Sequence, residues 1–154
     1  MKKLKQPTSV GRHAEKQLTM KKEYKILLIG LVAVGLLDTF GSVASRLLDF
    51  NYSFLSPVSF LIYGTTAFLV TRNRDLKVGV LFGAILGFFD STIGLKISIL
   101  LDANTGDSAI ELTTVLWVVT AILMTGLGAL VGLIGGVLAR IVKKKSRNAQ
   151  QKLP

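Results

Sequence analysis

Two carboxylates, Asp38 and Asp90, interrupt the middle of long apolar runs, and the residues around them recur. The first neighbourhood reads Gly35-Leu-Leu-Asp38-Thr39, then Gly41, Ser45, Leu47-Leu48-Asp49 and Asn51. The second reads Gly87-Phe-Phe-Asp90-Ser91, then Gly94, Ser98, Leu100-Leu101-Asp102 and Asn104. They align at an offset of 52 through the first Asp and 53 from the glycine onward, so one residue inserted near Thr92 reconciles them. This pattern predicts an internal repeat. A charged carboxylate in hydrocarbon costs at least a few kcal/mol, which makes either acid a candidate carrier of a proton or a cation. The plainer use of the same groups is hydrogen-bonded glue between helices, neutral acids satisfied by Ser, Thr and Tyr.

Depth brings further residues to these acids. Asp38 is thirteen residues beyond Lys25 and Asp90 thirteen beyond Lys77, which puts each about 20 Å from the basic end of its run. Ser59, Tyr63 and Thr125 fall at the same depth on the other runs, and Thr39, Ser91 and Thr92 adjoin the acids. Together these eight form a candidate polar cluster at the midplane. Asp90 shares a helical face with Gly83 and Gly94, seven and four residues away, and so points toward a neighbouring helix. Arg46 and Lys96 lie about 12 and 9 Å outward of their own Asp. They can pair with the acids or snorkel to the outer boundary.

Two acids at one depth on different spans resemble the catalytic pair of intramembrane aspartyl proteases. Those enzymes carry Gly-x-Gly-Asp, whereas this chain has Gly35-Leu-Leu-Asp38 and Gly87-Phe-Phe-Asp90 in a bundle half the usual size. The departure argues against proteolysis, and the expectation is that the chain is not an enzyme. Cys is absent and the sole His is His13, so neither a thiol nucleophile nor a metal-ligand cluster is expected, and no cofactor. The glycine-rich stretches lack the following Lys-Ser or Lys-Thr of a nucleotide loop.

The elements that must position the acids are four apolar runs. Each is near or above the roughly 17 to 25 residues that cross a bilayer, and soluble helices do not stay apolar all round for that length. The expected spans are 26–48, 54–71, 78–101 and 113–140, within a membrane domain of residues 25–142. Residues 1–24 are expected to form a disordered basic tail and residues 143–154 a second basic tail. Met20 offers a second plausible start. The first run also imitates a signal peptide, with small residues at Ser42, Ala44 and Ser45, but its apolar character resumes past Asp38.

The net charge of +10 is segregated. Eight of the 19 Lys and Arg precede the first run, three lie between the second and third, and six close the chain. The other two connections carry Asp49, Asp102, Asp107 and Glu111 and no basic residue. By the positive-inside rule both termini and the middle loop are cytoplasmic. The fold expected is therefore an all-α integral membrane protein of four transmembrane helices, N-in and C-in. Its two hairpins would be related as a parallel repeat, in the plasma or inner membrane. The basic tails contact anionic lipid headgroups, and no nucleic-acid partner is expected.

Gly79, Gly83 and Gly87 on the third run, and Gly128, Gly132 and Gly136 on the fourth, recur every four residues at matching depth. Small residues on one face let backbones approach, so a close contact between the third and fourth helices is expected, with a homo-oligomer interface as the rival use. Gly30 stands outside both trios. The function most in keeping with these features is a non-enzymatic accessory or assembly component with a larger membrane-protein partner. The rival is a small proton- or cation-coupled transporter or channel subunit using Asp38 and Asp90.

The charge split makes a topological prediction. A cytoplasm-active reporter fused after Arg74 or Pro154 is expected to be active and one fused between Asp102 and Ser108 inactive; activity at the latter position would overturn the four-span reading.

Overall fold

The computed structural model describes residues 9–106 and 113–150, with backbone alone at 9–21, 147, 149 and 150. The elements are α1 (Ser9–Leu47), a 3-10 turn (Tyr52–Leu55), α2 (Ser56–Thr71) and α3 (Leu76–Phe89). A π turn (Asp90–Gly94), α4 (Leu95–Leu100) and α5 (Thr114–Gln150) follow. No strand occurs among the described residues. Four helical segments, Lys22–Leu47, Tyr52–Thr71, Leu76–Leu100 and Thr114–Ser146, are long and apolar enough to cross a membrane.

Three differences from the expected elements have local causes. The first tail is helical from Ser9 instead of disordered, at least where it is described. Ala14, Glu15, Lys16, Gln17 and Leu18 are good helix formers abutting an established helix, so they extend it without a nucleation cost. The last helix likewise continues through the basic tail to Gln150. The third span is a composite: α3 and α4 are joined by a π turn in which the Leu95 N–H reaches the Asp90 carbonyl, five residues back. Residues 1–8, 107–112 and 151–154, including Asp107 and Glu111 of the expected external loop, lie outside the described residues.

The first and third spans end alike. Asp49 and Asp102 both take left-handed backbone, at φ of 52° and 51°, a conformation Asp tolerates because its short side chain can bond locally. Closing each helix, the Phe50 N–H donates to the Ser45 carbonyl (3.1 Å) and the Ala103 N–H to the Ser98 carbonyl (3.0 Å), the wide bond of a helix-terminating motif. Past each turn, the Asn51 side chain accepts from the Ser53 N–H and the Asn104 side chain from the Gly106 N–H. Each of these pairs is offset by 53 residues.

Those two turns are also tied to each other. The Tyr52 N–H donates to the Asn104 carbonyl (2.7 Å), the Asn104 N–H to Ser45 Oγ (3.1 Å) and Asn104 Nδ2 to Asp49 Oδ1 (2.8 Å). At the opposite end, Arg74 pairs with Glu23, and Lys143 Nζ donates to the Arg72 carbonyl at 3.0 Å. Opposite ends of the bundle therefore hold the acidic and the basic connections.

The interior is rich in polar groups and the exterior is apolar. Asp38, Ser42 and Ser45 are wholly buried, and Ser59, Thr66, Ser91 and Ser98 nearly so, while Leu28, Ile29, Phe40, Leu61, Leu100 and Ile122 are exposed. The buried apolar residues are Val34, Tyr63, Ala67, Val70, Phe82, Leu86 and Ala139, of which Val34, Tyr63 and Leu86 form one cluster with their neighbours. This inverts the arrangement that water imposes and suits an apolar solvent, where polar groups must find partners inside the protein.

Glycine backbones bring α3 and α5 together. A Cβ added at Gly83 would run into the Gly128 carbonyl and stand 2.8 Å from Gly132 Cα; one at Gly87 would run into the Met124 carbonyl. A Cβ at Gly79 would run into Thr71 Oγ1 of α2, although the Gly79 carbonyl backs Gly132 of α5, and one at Gly136 would meet Leu76 of α3 first and Thr71 Oγ1 at 3.1 Å. A fifth glycine contact joins α2 to α5, since a Cβ at Gly135 would strike the Gly64 carbonyl. Gly30 is not the open position its place outside the trios implies: a Cβ there would stand 2.8 Å from Thr66 Oγ1 and 3.3 Å from Leu86 Cδ2. Gly126 has nothing within 4 Å and is the proper control.

Gly83→Leu must displace helix backbone and is expected to cost about 1–3 kcal/mol or more, whereas Gly126→Leu should stay within about 0.5 kcal/mol of wild type. Thermal unfolding in detergent checks the pair, and equal losses at both positions would show that the close approach of α3 and α5 is not limiting.

Candidate functional site

The two acids arrive from different spans. Asp38 projects from the middle of α1, and Asp90 opens the π turn of the third span. Their carboxyl groups converge over Gly94. Gly94 makes the meeting possible: a Cβ there would collide with Asp38 Oδ2 and stand 2.9 Å from Asp90 Oδ1. Any other residue at this position would drive the carboxyls away from each other or from the helix.

Two tyrosines hold the outer oxygens. Tyr52 on the 3-10 turn donates its hydroxyl to Asp38 Oδ1 at 2.6 Å, and Tyr63 in the middle of α2 donates to Asp90 Oδ2. Ser59, one turn before Tyr63, and Ser98 share a cavity wall with Asp90 and Tyr52. Tyr63 is fully buried and set edge-on to Phe60, with ring centroids 5.9 Å apart. What remains is one orphan: Asp38 Oδ2 is buried and has no hydrogen-bond donor.

A cavity of about 220 Å³ adjoins the pair. Asp90, Ser59, Ser91 and Ser98 line its inner part, Thr120 and Met124 of α5 its side, and Ser53 and Thr105 of the tied turns its outer end. Two larger clefts, of about 320 Å³ each, are lined almost wholly by apolar side chains and contain no acid or base. They suit acyl chains better than a charged or polar ligand.

Of the eight residues placed at this depth by sequence, Asp38, Asp90, Tyr63 and Ser59 converge, and Ser91 joins them at the cavity wall while its hydroxyl donates to the Gly87 carbonyl. Thr39, Thr92 and Thr125 stand apart, each donating to a carbonyl four residues back in its own helix, those of Gly35, Phe88 and Ala121. Depth alone does not fix azimuth, and a Thr on a helix has its own backbone as the nearest acceptor. Arg46 turns to Asp102 (3.9 Å) and the Leu101 carbonyl, and Lys96 sits over the Trp117 ring at 5.3 Å. Neither reaches the acids.

Sequence reading missed Tyr52 and Ser98. Ser98 was within sight as the counterpart of Ser45 in the recurring pattern. Tyr52 counts as external by depth, and only the 3-10 turn after Asn51 carries its ring back toward Asp38.

Among the described residues no cluster of three or more His, Cys, Asp or Glu could hold a metal ion. The class defined so far is an all-helical protein with four helices fit to span a membrane, two of them contributing a facing pair of acids. No protein-family model, curated protein or solved structure matches this chain.

Proposed function

We propose that this chain is a small multi-pass membrane protein that moves a proton or a small cation through the Asp38–Asp90 pair, as a transporter or channel subunit. The observation that carries this reading is a converging pair of carboxyls, one with an orphan oxygen, beside a cavity that Asp90 and several Ser and Thr residues line and that reaches the loop end. Acids serving only as glue need donors, which Tyr52 and Tyr63 supply, but they need no cavity at their side. Those same tyrosine bonds favour the second reading, an accessory or assembly component whose acids only fasten the spans. In either case the basic ends face the cytoplasm, because translocating them across the membrane is disfavoured.

The proposed architecture is two helical hairpins related as a parallel repeat. The matched turns at Asp49 and Asp102 support it at an offset of 53, and the offset of 52 before the acids places the extra residue of the second copy within Asp90–Gly94. That is where the third span forms its π turn. A one-residue insertion is absorbed as a π bulge without rotating the flanking helix faces. Deleting Thr92 is therefore expected to leave a regular helix whose Gly83 and Ser98 faces stay in register, with helicity and assembly retained. Deleting Ile85 from regular helix should rotate one face by about 100° and unfold the bundle. Equal damage from both deletions, read by circular dichroism and size exclusion, would refute the insertion account.

Flux in liposomes tests the function. Wild type is expected to conduct protons or a monovalent cation; Asp38→Asn and Asp90→Asn should fold but lose at least tenfold in rate, since Asn neither releases a proton nor holds a charge. Glu at either site should retain part of the flux. No flux from wild type across cations and pH would remove the transport reading and leave the accessory one.

A further inference from the structure

We infer that the ligand of the Asp38–Asp90 site is a single proton shared between the two carboxyls, and that the site excludes metal cations. The inference rests on the transport reading for its purpose, though not for its chemistry. The Tyr52 and Tyr63 hydroxyls occupy Asp38 Oδ1 and Asp90 Oδ2, which leaves Asp38 Oδ2 and Asp90 Oδ1 facing each other over Gly94. Two ionised carboxylates converging on one point do not persist in a low-dielectric interior. One proton resolves the conflict, because the O–H of one carboxyl then donates to the facing oxygen of the other and supplies the partner that Asp38 Oδ2 lacks.

A metal ion fits the same geometry poorly. Calcium takes about six to eight oxygen ligands and magnesium a full octahedron, whereas two facing oxygens are on offer at this point. Three of the nearby hydroxyls are turned to backbone: Ser42 donates to the Asp38 carbonyl, Ser91 to the Gly87 carbonyl and Ser98 to the Gly94 carbonyl. Asp38 is wholly buried, which leaves no room around it for a shell of waters. No positive charge competes for the role. Among the described residues the titratable groups facing the pair are Tyr52 from the 3-10 turn and Tyr63 from α2. The fourth span contributes Thr120 and Met124 to the adjoining cavity, and Arg46 and Lys96 are engaged at Asp102 and Trp117.

Infrared spectroscopy of the purified full chain at neutral pH tests the inference. The expected result is a protonated-carboxyl C=O band, shifted in D2O, with an intensity of one carboxyl per chain. Its assignment to aspartate needs no variant, since carbon-13 labelling of Asp should move it, and the other Asp side chains lie outside the apolar runs. Tyr52→Phe should shift the band without changing its intensity, because it removes a bond to Asp38 Oδ1 and leaves the shared proton in place. The Asp38→Asn, Asp90→Asn double variant, if it folds, should lose the band. An intensity of zero or of two carboxyls in wild type would overturn the inference. So would loss of the band on replacing choline chloride by sodium, potassium, calcium or magnesium chloride. A band of one carboxyl without proton flux would sink transport and leave the shared proton standing; cation flux without the band would do the reverse.

Discussion

Everything in this bundle that is not generic follows from one constraint: two acids placed in an apolar layer must satisfy each other. A helix fit to span a membrane offers its inner polar groups little water, and an unpaired polar group in hydrocarbon costs several kcal/mol. The carboxyls of Asp38 and Asp90 therefore determine what surrounds them. Gly94 keeps a side chain out of their meeting point. Tyr63 comes from the second span, and Tyr52 from a turn that would otherwise have no reason to fold inward. That turn is in turn held by Asn104 and the end of the third span, so the loop end of the bundle is anchored on the same pair.

The remaining contacts are of the kind a membrane permits. With apolar solvent outside, burial of Leu or Ile gains little, and helices associate through close packing and hydrogen bonds. Gly83, Gly87, Gly128 and Gly132 sit where α3 and α5 put backbone against backbone, and Gly64 with Gly135 does the same for α2 and α5. The first span has no such seam with α5. It is fastened instead by polar groups: Asp38 at the centre, Ser45 toward the loops and Glu23 at the basic end. Its tight glycine contacts are Gly30, on Thr66 and Leu86, and Gly41, on Leu55 and Tyr52 of the turn.

The four spans are legible in the sequence because run length and polarity act at the scale of a whole helix, which no local contact can override. The acids and Tyr63 are legible too, since counting from a basic end fixes depth to within a turn. Direction around the helix is harder. Thr39, Thr92 and Thr125 share the depth and turn to their own carbonyls, whereas Tyr52 lies above it and returns through a 3-10 turn. Nor does a search for spacing by four find Gly30, whose contact is set by Thr66 on another span. The helical tails escape notice for a different reason: their charge argues for solvent, but helix propagation from a formed span needs only local propensity. The π turn leaves a trace in the change of offset from 52 to 53, yet an insertion reads equally as a longer loop until the backbone is seen.

The two acids have similar sequence neighbourhoods and unequal access, which gives the proposed site a direction. Asp90 lines the cavity that reaches Ser53 and Thr105, while Asp38 lies behind it, wholly buried. A proton entering from the loop end meets Asp90 first and reaches Asp38 only by passing between the facing oxygens. The spacing of acid to glycine differs in the same sense, three residues from Asp38 to Gly41 but four from Asp90 to Gly94. Gly41 faces Tyr52 and Leu55 of the turn, whereas Gly94 faces both carboxyls. If the two halves began as copies, the extra residue is what separated their roles: it widened one helix at the acid and placed that copy's glycine beneath the pair. The other copy's glycine stayed beneath Tyr52. A symmetric pair would offer a proton no preferred order of binding; this one does, because of the two acids only the one beside the insertion lines the cavity.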